Sequence, residues 1–270
     1  MRITIVGCGN MGLVYARAFL RYSMVSGKEL LLVEKNEKRK EELRLLNLGV
    51  VVTPDDDAIG KSDVIILAVK PQDFAELAPV LKKVVGASSL VLSIMAGVRL
   101  AVLQQMLGHE LIIRAMPNAP VEIGMGITGF SAREGISLEH IHKIEHLLAT
   151  TGRTVFFEKE ELLDAVTALS GSGPAYFYYL VKSMIEAGKQ MGMEEPVSAM
   201  LVKQTMLGAF HLINNANKSL DELISTVASK GGTTEAALSV FHTHKVGENL
   251  AKGIHAAEIR ARELSANIKQ

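Results

Sequence analysis

Two glycine-rich turns carry the chemistry that can be read in this chain: Gly7-Cys8-Gly9-Asn10-Met11-Gly12 and Ser229-Lys230-Gly231-Gly232-Thr233-Thr234. The first follows the apolar run Ile3–Val6 and opens a helical pattern that begins at Met11. At the spacing Gly7-x-Gly9-x-x-Gly12 the first glycine permits a tight turn. The second lets backbone approach a pyrophosphate, and the third lets the helix pack close to the strand. The free N–H groups and positive dipole end of the helix then face the phosphates. Strand–turn–helix context is what separates a dinucleotide site from an ordinary tight turn. The second turn runs into Glu235-Ala236-Ala237-Leu238, a good helix sequence, with Thr233 as the expected N-cap. Hydroxyls and bare N–H groups at such a start suit a small carboxylate. The plainer alternative is a capped helix with no ligand.

Further positions fall where a dinucleotide would be read. Glu34 closes the second strand pattern about 20 residues beyond the fingerprint, where an acid hydrogen-bonds ribose hydroxyls. Lys35, Asn36, Lys38 and Arg39 beside it could instead meet a 2′-phosphate, which leaves NADH and NADPH both open. Ligands bind beyond the carboxyl ends of parallel strands. The segments Ala68-Val69-Lys70-Pro71, Met95-Ala96-Gly97 and Met116-Pro117-Asn118-Ala119-Pro120 are therefore expected to face the cofactor. Cys8 is expected to pack as a small apolar side chain. His142 and His146 stand at a spacing that can bind metal, but Lys143 and Glu145 mark a solvated helix face. His242 and His244 flank Thr243 in an expected linker with no third ligand, so no metal is expected. Lys182 and Lys189 could be proposed as general bases, yet their placement suits snorkelling surface lysines.

The elements that must hold these residues alternate in the first part. Strand patterns at Ile3–Val6, Leu30–Val33, Gly49–Val52, Val64–Val69, Leu90–Ile94 and Leu111–Arg114 alternate with helices at Met11–Met24, Glu37–Leu46 and Gln72–Val85. Thr53-Pro54-Asp55 reads as one more helix start, since proline suits the first helical position. Apolar runs without alternation belong to parallel strands covered on both faces, and the alternation predicts a doubly wound α/β sheet. Gly126–Ser131 and Thr154–Phe157 extend it at one edge, with helix Leu138–Thr150 between them. Beyond Glu158 the pattern is all helix: Leu162–Leu169, Ala175–Met191, Val197–Asn214, Leu220–Ala228, Glu235–Phe241 and Leu250–Ala266. Ser219 and Glu222 form a capping box. The expected organisation is a Rossmann-like domain over residues 1–158 and an all-α domain over 159–270. The segment Tyr176–Met184 leaves little polar face, and a helix apolar around its circumference must be covered; self-association is expected to cover it.

Composition bounds the partners. The chain has 270 residues, 48% hydrophobic, with 29 basic against 29 acidic side chains. That balance offers no electrostatic case for nucleic acid or an anionic membrane. One cysteine excludes an internal disulfide and any cysteine-cluster metal site. No apolar run is long enough to span a bilayer, and a cytoplasmic protein is expected.

Taken together, the segments resemble the pyrroline-5-carboxylate reductase family along essentially the whole chain. The carriers are the Gly7–Gly12 fingerprint, Ala68-Val69-Lys70-Pro71-Gln72, Arg114-Ala115-Met116-Pro117-Asn118-Ala119-Pro120, the run from Asp164 through Leu169-Ser170-Gly171-Ser172-Gly173-Pro174 to Tyr176, and the Ser229–Thr234 loop. The resemblance implies an NADPH- or NADH-dependent reductase with a Rossmann domain and a helical dimerisation domain. It implies a homodimer or a higher oligomer of dimers, with an active site to which both subunits contribute. The implied reaction reduces the imino acid 1-pyrroline-5-carboxylate to L-proline. Carried over residue by residue, Ser229, Gly231, Gly232 and Thr233 match the carboxylate loop, Thr234 the threonine at the imine nitrogen, and Val227 a backbone contact. Glu160 matches an acid near the substrate. Gly7, Gly9, Asn10, Met11, Gly12, Glu34, Lys35, Ala68, Val69, Lys70, Pro71, Met95, Ala96, Gly97, Met116, Pro117 and Asn118 fall to the cofactor. Lys230 replaces the family's usual proline, and Asn217 a frequent glutamate. The alternatives are a β-hydroxyacid dehydrogenase-type enzyme and a non-catalytic dinucleotide sensor.

Overall fold

The computed structural model describes residues 1–267. Eight strands form one sheet: β1 (Ile3–Val6), β2 (Leu30–Val33), β3 (Val50–Val52), β4 (Val64–Leu67), β5 (Leu90–Ser93), β6 (Ile112–Met116), β7 (Gly126–Ala132) and β8 (Gly152–Phe156). Their order is β3-β2-β1-β4-β5-β6-β7-β8. The first six run parallel, with Ile3 facing Leu30 on one side and Val64 on the other. β7 is antiparallel to β6 and parallel to β8, so the last two strands reverse the direction of the sheet at that edge. The reversal of chain order between β1 and β4 is the switch point at which such sheets bind ligands.

Helices α1 (Asn10–Arg21), α2 (Glu37–Leu46), α3 (Pro71–Val84), α4 (Leu100–Leu107) and α5 (Leu138–Ala149) cover the two faces. Strands β1, β2, β4 and β5 are buried at every position. Their alternate residues feed two cores: Ile3, Ile5, Leu30 and Leu32 pack with Tyr15 and Phe19 of α1, while Leu31, Val33, Ile65 and Leu67 pack with Phe74 and Leu81 of α3. This double burial explains why these strands read as continuous apolar runs. The expected helix at Pro54 is absent. A short 3-10 turn starts instead at Asp57, with the Asp56 carboxylate accepting from Ala58 N at 2.8 Å. Helix α4 was not expected, because Gly97-Val98-Arg99 ahead of it offers no side-chain cap.

After β8 come α6 (Leu162–Val166), a π turn over Thr167–Gly171, and then α7 (Gly173–Gln190), α8 (Glu195–Asn215), α9 (Leu220–Val227), α10 (Thr233–Thr243) and α11 (Val246–Asn267). The single helix read over Leu162–Leu169 is thus broken at Thr167. Ser172 N donates to Thr167 O at 2.9 Å, a five-residue span in place of four. His242 lies in α10 and His244 caps it; the two residues His244 and Lys245, the latter at φ 52°, turn the chain into α11. By compactness one unit comprises Met1–Ser172 and the chain from Ala257 onward, the other Gly173–Ala256. The division after residue 158 follows texture, where strands give way to helices.

Within the helical unit α7 and α8 pack closely. A Cβ on Gly188 would lie 2.1 Å from Ser198 Oγ, and that hydroxyl donates to Ile185 O at 2.9 Å. The outer faces are apolar and open: Tyr179 is 71% exposed, Met200 63% and Phe210 51%. Among the described residues no helix is long and apolar enough to cross a membrane.

Candidate functional site

The fingerprint turn sits at the carboxyl end of β1. Gly7 has φ +97°, and a Cβ there would lie 2.7 Å from the Ala68 carbonyl carbon. A Cβ on Gly12 would fall 2.2 Å from Gly7 O. Both positions therefore admit only hydrogen. Gly9 differs: a Cβ there meets no protein atom within 4 Å, and the residue borders a cleft. Its bare backbone faces the space where a ligand would lie. Gly9 is also the N-cap of α1. No side chain caps that helix and its first turn holds no acid, so its N–H groups and positive end are left for an anion.

The cleft has a volume of about 500 Å³ and brings together Gly7, Gly9, Glu34, Lys35, Ala68, Val69 and Lys70 of the expected residues. Asn10, Met11 and Gly12 form the first turn of α1 behind it. Pro71 is the first residue of α3, as its fixed φ favours. Met95 is buried, Ala96 exposed, and Gly97 takes φ +76° after β5. Met116 ends β6. Pro117 is buried, and Asn118 Oδ1 accepts from Ile127 N at 3.0 Å.

Sequence reasoning passed over the π turn. It sets Ser170 Oγ 3.2 Å from Asn118 Nδ2, and a Cβ on Gly171 would meet Met116 Cε at 2.7 Å. The glycine at 171 is what lets the Met116 side chain lie there. The run Ser170-Gly171-Ser172-Gly173 was the available signal.

Cys8 is buried in the turn. Burial, and to a lesser extent the Glu34 carboxylate, push its thiol up to about 12, so it stays protonated and packs as expected. Glu34 turns back on its own loop: Oε1 accepts from Lys35 N at 2.8 Å and Asn36 N at 2.9 Å. Lys35 Nζ pairs with Glu76 at 3.0 Å, and that bond raises its pKa.

Glu160 lies in the sheet unit, and its Oε1 accepts from Arg114 Nη1 and from Leu100 N, each at 2.8 Å. The remaining substrate residues lie in the helical unit. Gly231, at φ +74°, turns the loop, and Gly232 N donates to Ser229 O at 2.9 Å. Gly232, not Thr233, is the N-cap of α10; Thr233 is its first helical residue. The extended backbone of Gly232 passes so close to Ser229 that a Cβ would lie 2.6 Å from its Oγ, and a threonine there would clash. Gly231 N already holds a carboxylate, Glu235 Oε2 at 2.6 Å. Val227, Ser229, Lys230 and Thr233 are exposed, Thr234 partly so. His142 and His146 point to solvent, and Lys189 pairs with Glu195 at 3.0 Å.

A parallel switch-point sheet with an uncapped helix start over an open glycine cradle defines a Rossmann-type protein built to bind a dinucleotide. The comparisons with known proteins resolve the class further. Residues 160–264 match the family model described as pyrroline-5-carboxylate reductase dimerisation, and residues 2–97 one described as NADP oxidoreductase, coenzyme F420-dependent. The chain is 31% identical to a pyrroline-5-carboxylate reductase of Pseudomonas aeruginosa over 270 residues, covering 100% of this chain and 98% of that one. It is 36% identical to that of Aquifex aeolicus over 236 residues, 87% of this chain and 86% of the other. A pyrroline-5-carboxylate reductase structure from Coxiella burnetii superimposes with a TM-score of 0.86 at 29% identity, covering 98% of each chain. The pyrroline carboxylate reductase of Plasmodium falciparum with NADP bound, at 23% identity, shares the fold with a TM-score of 0.87 over 98% of each chain. The chain belongs to the pyrroline-5-carboxylate reductase family.

Proposed function

We propose that this protein reduces 1-pyrroline-5-carboxylate to L-proline with NADH or NADPH. The observation that carries the reading is the acid-free, uncapped start of α1 at the open Gly9 cradle, in a chain of this family. The cleft residues fit a dinucleotide. Gly7, Gly9 and the first turn of α1 would hold the pyrophosphate, Glu34 and Lys35 the adenosine ribose, and Ala68–Pro71, Met95–Gly97 and Met116–Asn118 the rest. When bound, the cofactor supplies a hydride to the ring carbon of the C=N bond, while the nitrogen gains a proton.

The chain's own contribution is positioning, which supplies most of the catalytic effect when the reacting atoms need only be brought together. Ser229, Gly231, Gly232 and Thr233 are assigned to the substrate carboxylate, and Val227 to a backbone contact with the substrate. Gly231 N is held by the Glu235 carboxylate, so a substrate carboxylate would have to take that place or use the neighbouring donors of the loop. Thr234 is assigned to the imine nitrogen, where its hydroxyl orients the ring and meets the protonated amine as it forms. Glu160 is assigned a place near the substrate by its family match, with its Oε1 held by Arg114 and Leu100 N. No step needs a metal.

A homodimer, alone or as the unit of a larger oligomer, is part of the reading. It rests on the open apolar faces of α7 and α8 and on the match to a dimerisation domain. A cytoplasmic location is part of the reading; among the described residues no helix is long and apolar enough to cross a membrane. The test is direct: purified protein given 1-pyrroline-5-carboxylate should oxidise NADH or NADPH and release proline. Absence of turnover with both would reject the function.

A further inference from the structure

We infer that Glu34 sets the cofactor preference and that this chain takes NADH, with its unmodified adenosine ribose, ahead of NADPH. The inference rests on the reductase reading and specifies its cofactor.

A 2′-phosphate at the end of β2 needs donors and positive charge. The nearest backbone donors are Lys35 N and Asn36 N, which lead into α2. Both are taken by Glu34 Oε1, at 2.8 and 2.9 Å, so a carboxylate already occupies the place a phosphate would use. The same two bonds fix the carboxylate and leave Glu34 Oε2 for a ribose hydroxyl.

Two of the cations that follow Glu34 are committed as well. Lys35 Nζ lies 3.0 Å from Glu76. Arg39 Nη1 lies 2.6 Å from Glu42, and its Nη2 donates to Cys8 O at 3.1 Å. Asn36 Oδ1 accepts from Arg39 N at 3.0 Å as the cap of α2. Lys38 does not border the cleft. The charged side chains that do are Glu34, Asp55, Asp73 and Glu76 against Lys35 and Lys70. A doubly charged phosphate entering here meets a surplus of negative charge, and the lysine nearest Glu34 in sequence is already paired with Glu76. A diol meets an acceptor already in place.

The test is binding, followed by dinucleotide fluorescence in the absence of substrate, with 5′-AMP and adenosine 2′,5′-bisphosphate as competitors. The unaltered protein should bind NADH about tenfold or more tightly than NADPH, the value of one hydrogen bond to a charged group. It should also prefer 5′-AMP to the bisphosphate. Glu34→Ser, and Glu34→Gln as a variant of the same shape, should shift the ratio toward NADPH. Glu76→Gln, which frees Lys35, should raise affinity for NADPH. Equal or tighter binding of NADPH by the unaltered protein, or a ratio unmoved by both Glu34 variants, would overturn the inference. If imine reduction then runs on NADPH, the reductase reading stands and only the role of Glu34 falls. If neither dinucleotide binds, both fall.

Discussion

Arg114 Nη1 lies 2.8 Å from Glu160 Oε1, with the arginine side chain only 1% exposed. The pair joins the middle of β6 to the segment before α6, and Glu160 also accepts from Leu100 N at the start of α4. Asp164, equally buried, lies 3.8 Å from Arg114 Nη2 and 2.7 Å from Arg99 Nη2, and Ser265 Oγ donates to it at 3.3 Å. One polar cluster thus ties four segments together just below Met116-Pro117-Asn118.

Breaking a buried pair strands a charge. Arg114→Met should lower stability by about 3–5 kcal/mol, read as a reduced urea midpoint. Glu160→Gln keeps an acceptor and should cost about 1–3 kcal/mol. A raised KM for the imine with stability intact would favour direct substrate contact by Glu160 over the structural role.

The glycines of the fingerprint should separate under mutation. Gly9→Val should fold normally and lose dinucleotide binding, since its side chain would enter only the cleft. Gly12→Ala should cost about 1–3 kcal/mol by overpacking, because its Cβ would meet Gly7 O at 2.2 Å. Thermal unfolding beside a dinucleotide titration distinguishes the two; a Gly9→Val protein that binds normally would remove Gly9 from the site.

Cys8 gives a pH signature. Its folded value of about 12 stands above the ordinary 9.0 because burial penalises the thiolate. The unfolded chain therefore sheds this proton first. The contribution to stability is whole below pH 9 and declines as pH rises toward 12, with a slope of at most about 1.4 kcal/mol per pH unit. Tyr15, raised by its own burial, acts in the same direction. Stability curves against pH for the protein and for Cys8→Ala should diverge in that window, and native protein should resist thiol reagents at pH 8. Rapid labelling would contradict the burial.

Thr234→Val keeps shape and removes a hydroxyl. Turnover should fall by roughly 0.5–3 kcal/mol in activation free energy, with dinucleotide affinity and unfolding midpoint unchanged. An effect confined to stability would take Thr234 out of the reaction.

The open apolar faces predict assembly. Tyr179→Glu combined with Phe210→Glu should lower the mass seen by light scattering, since charge placed on a covered face is left unpaired. An unchanged mass would place the interface elsewhere.

What the sequence determined alone is what short-range periodicity and steric necessity can carry. Ile3–Val6, Leu30–Val33 and Glu37–Leu46 were legible to the residue, because strands buried on both faces are predominantly apolar and charged amphipathic helices repeat on their own period. The fingerprint was legible because each glycine answers a local steric demand, and the capping box at Ser219 because its two bonds lie within one turn. Tertiary structure decided the rest. Helix α4 has no cap of its own, and its first N–H finds Glu160 sixty residues away. The π turn at Thr167–Gly171 exists where Met116 and Asn118 press against it. The antiparallel turn of β7 depends on pairing with β6, which no pattern inside β7 encodes. Glu34 was recognisable as an acid in the right place, but that it occupies Lys35 N and Asn36 N, with Lys35 drawn to Glu76 on another helix, follows only from the chain's return in space.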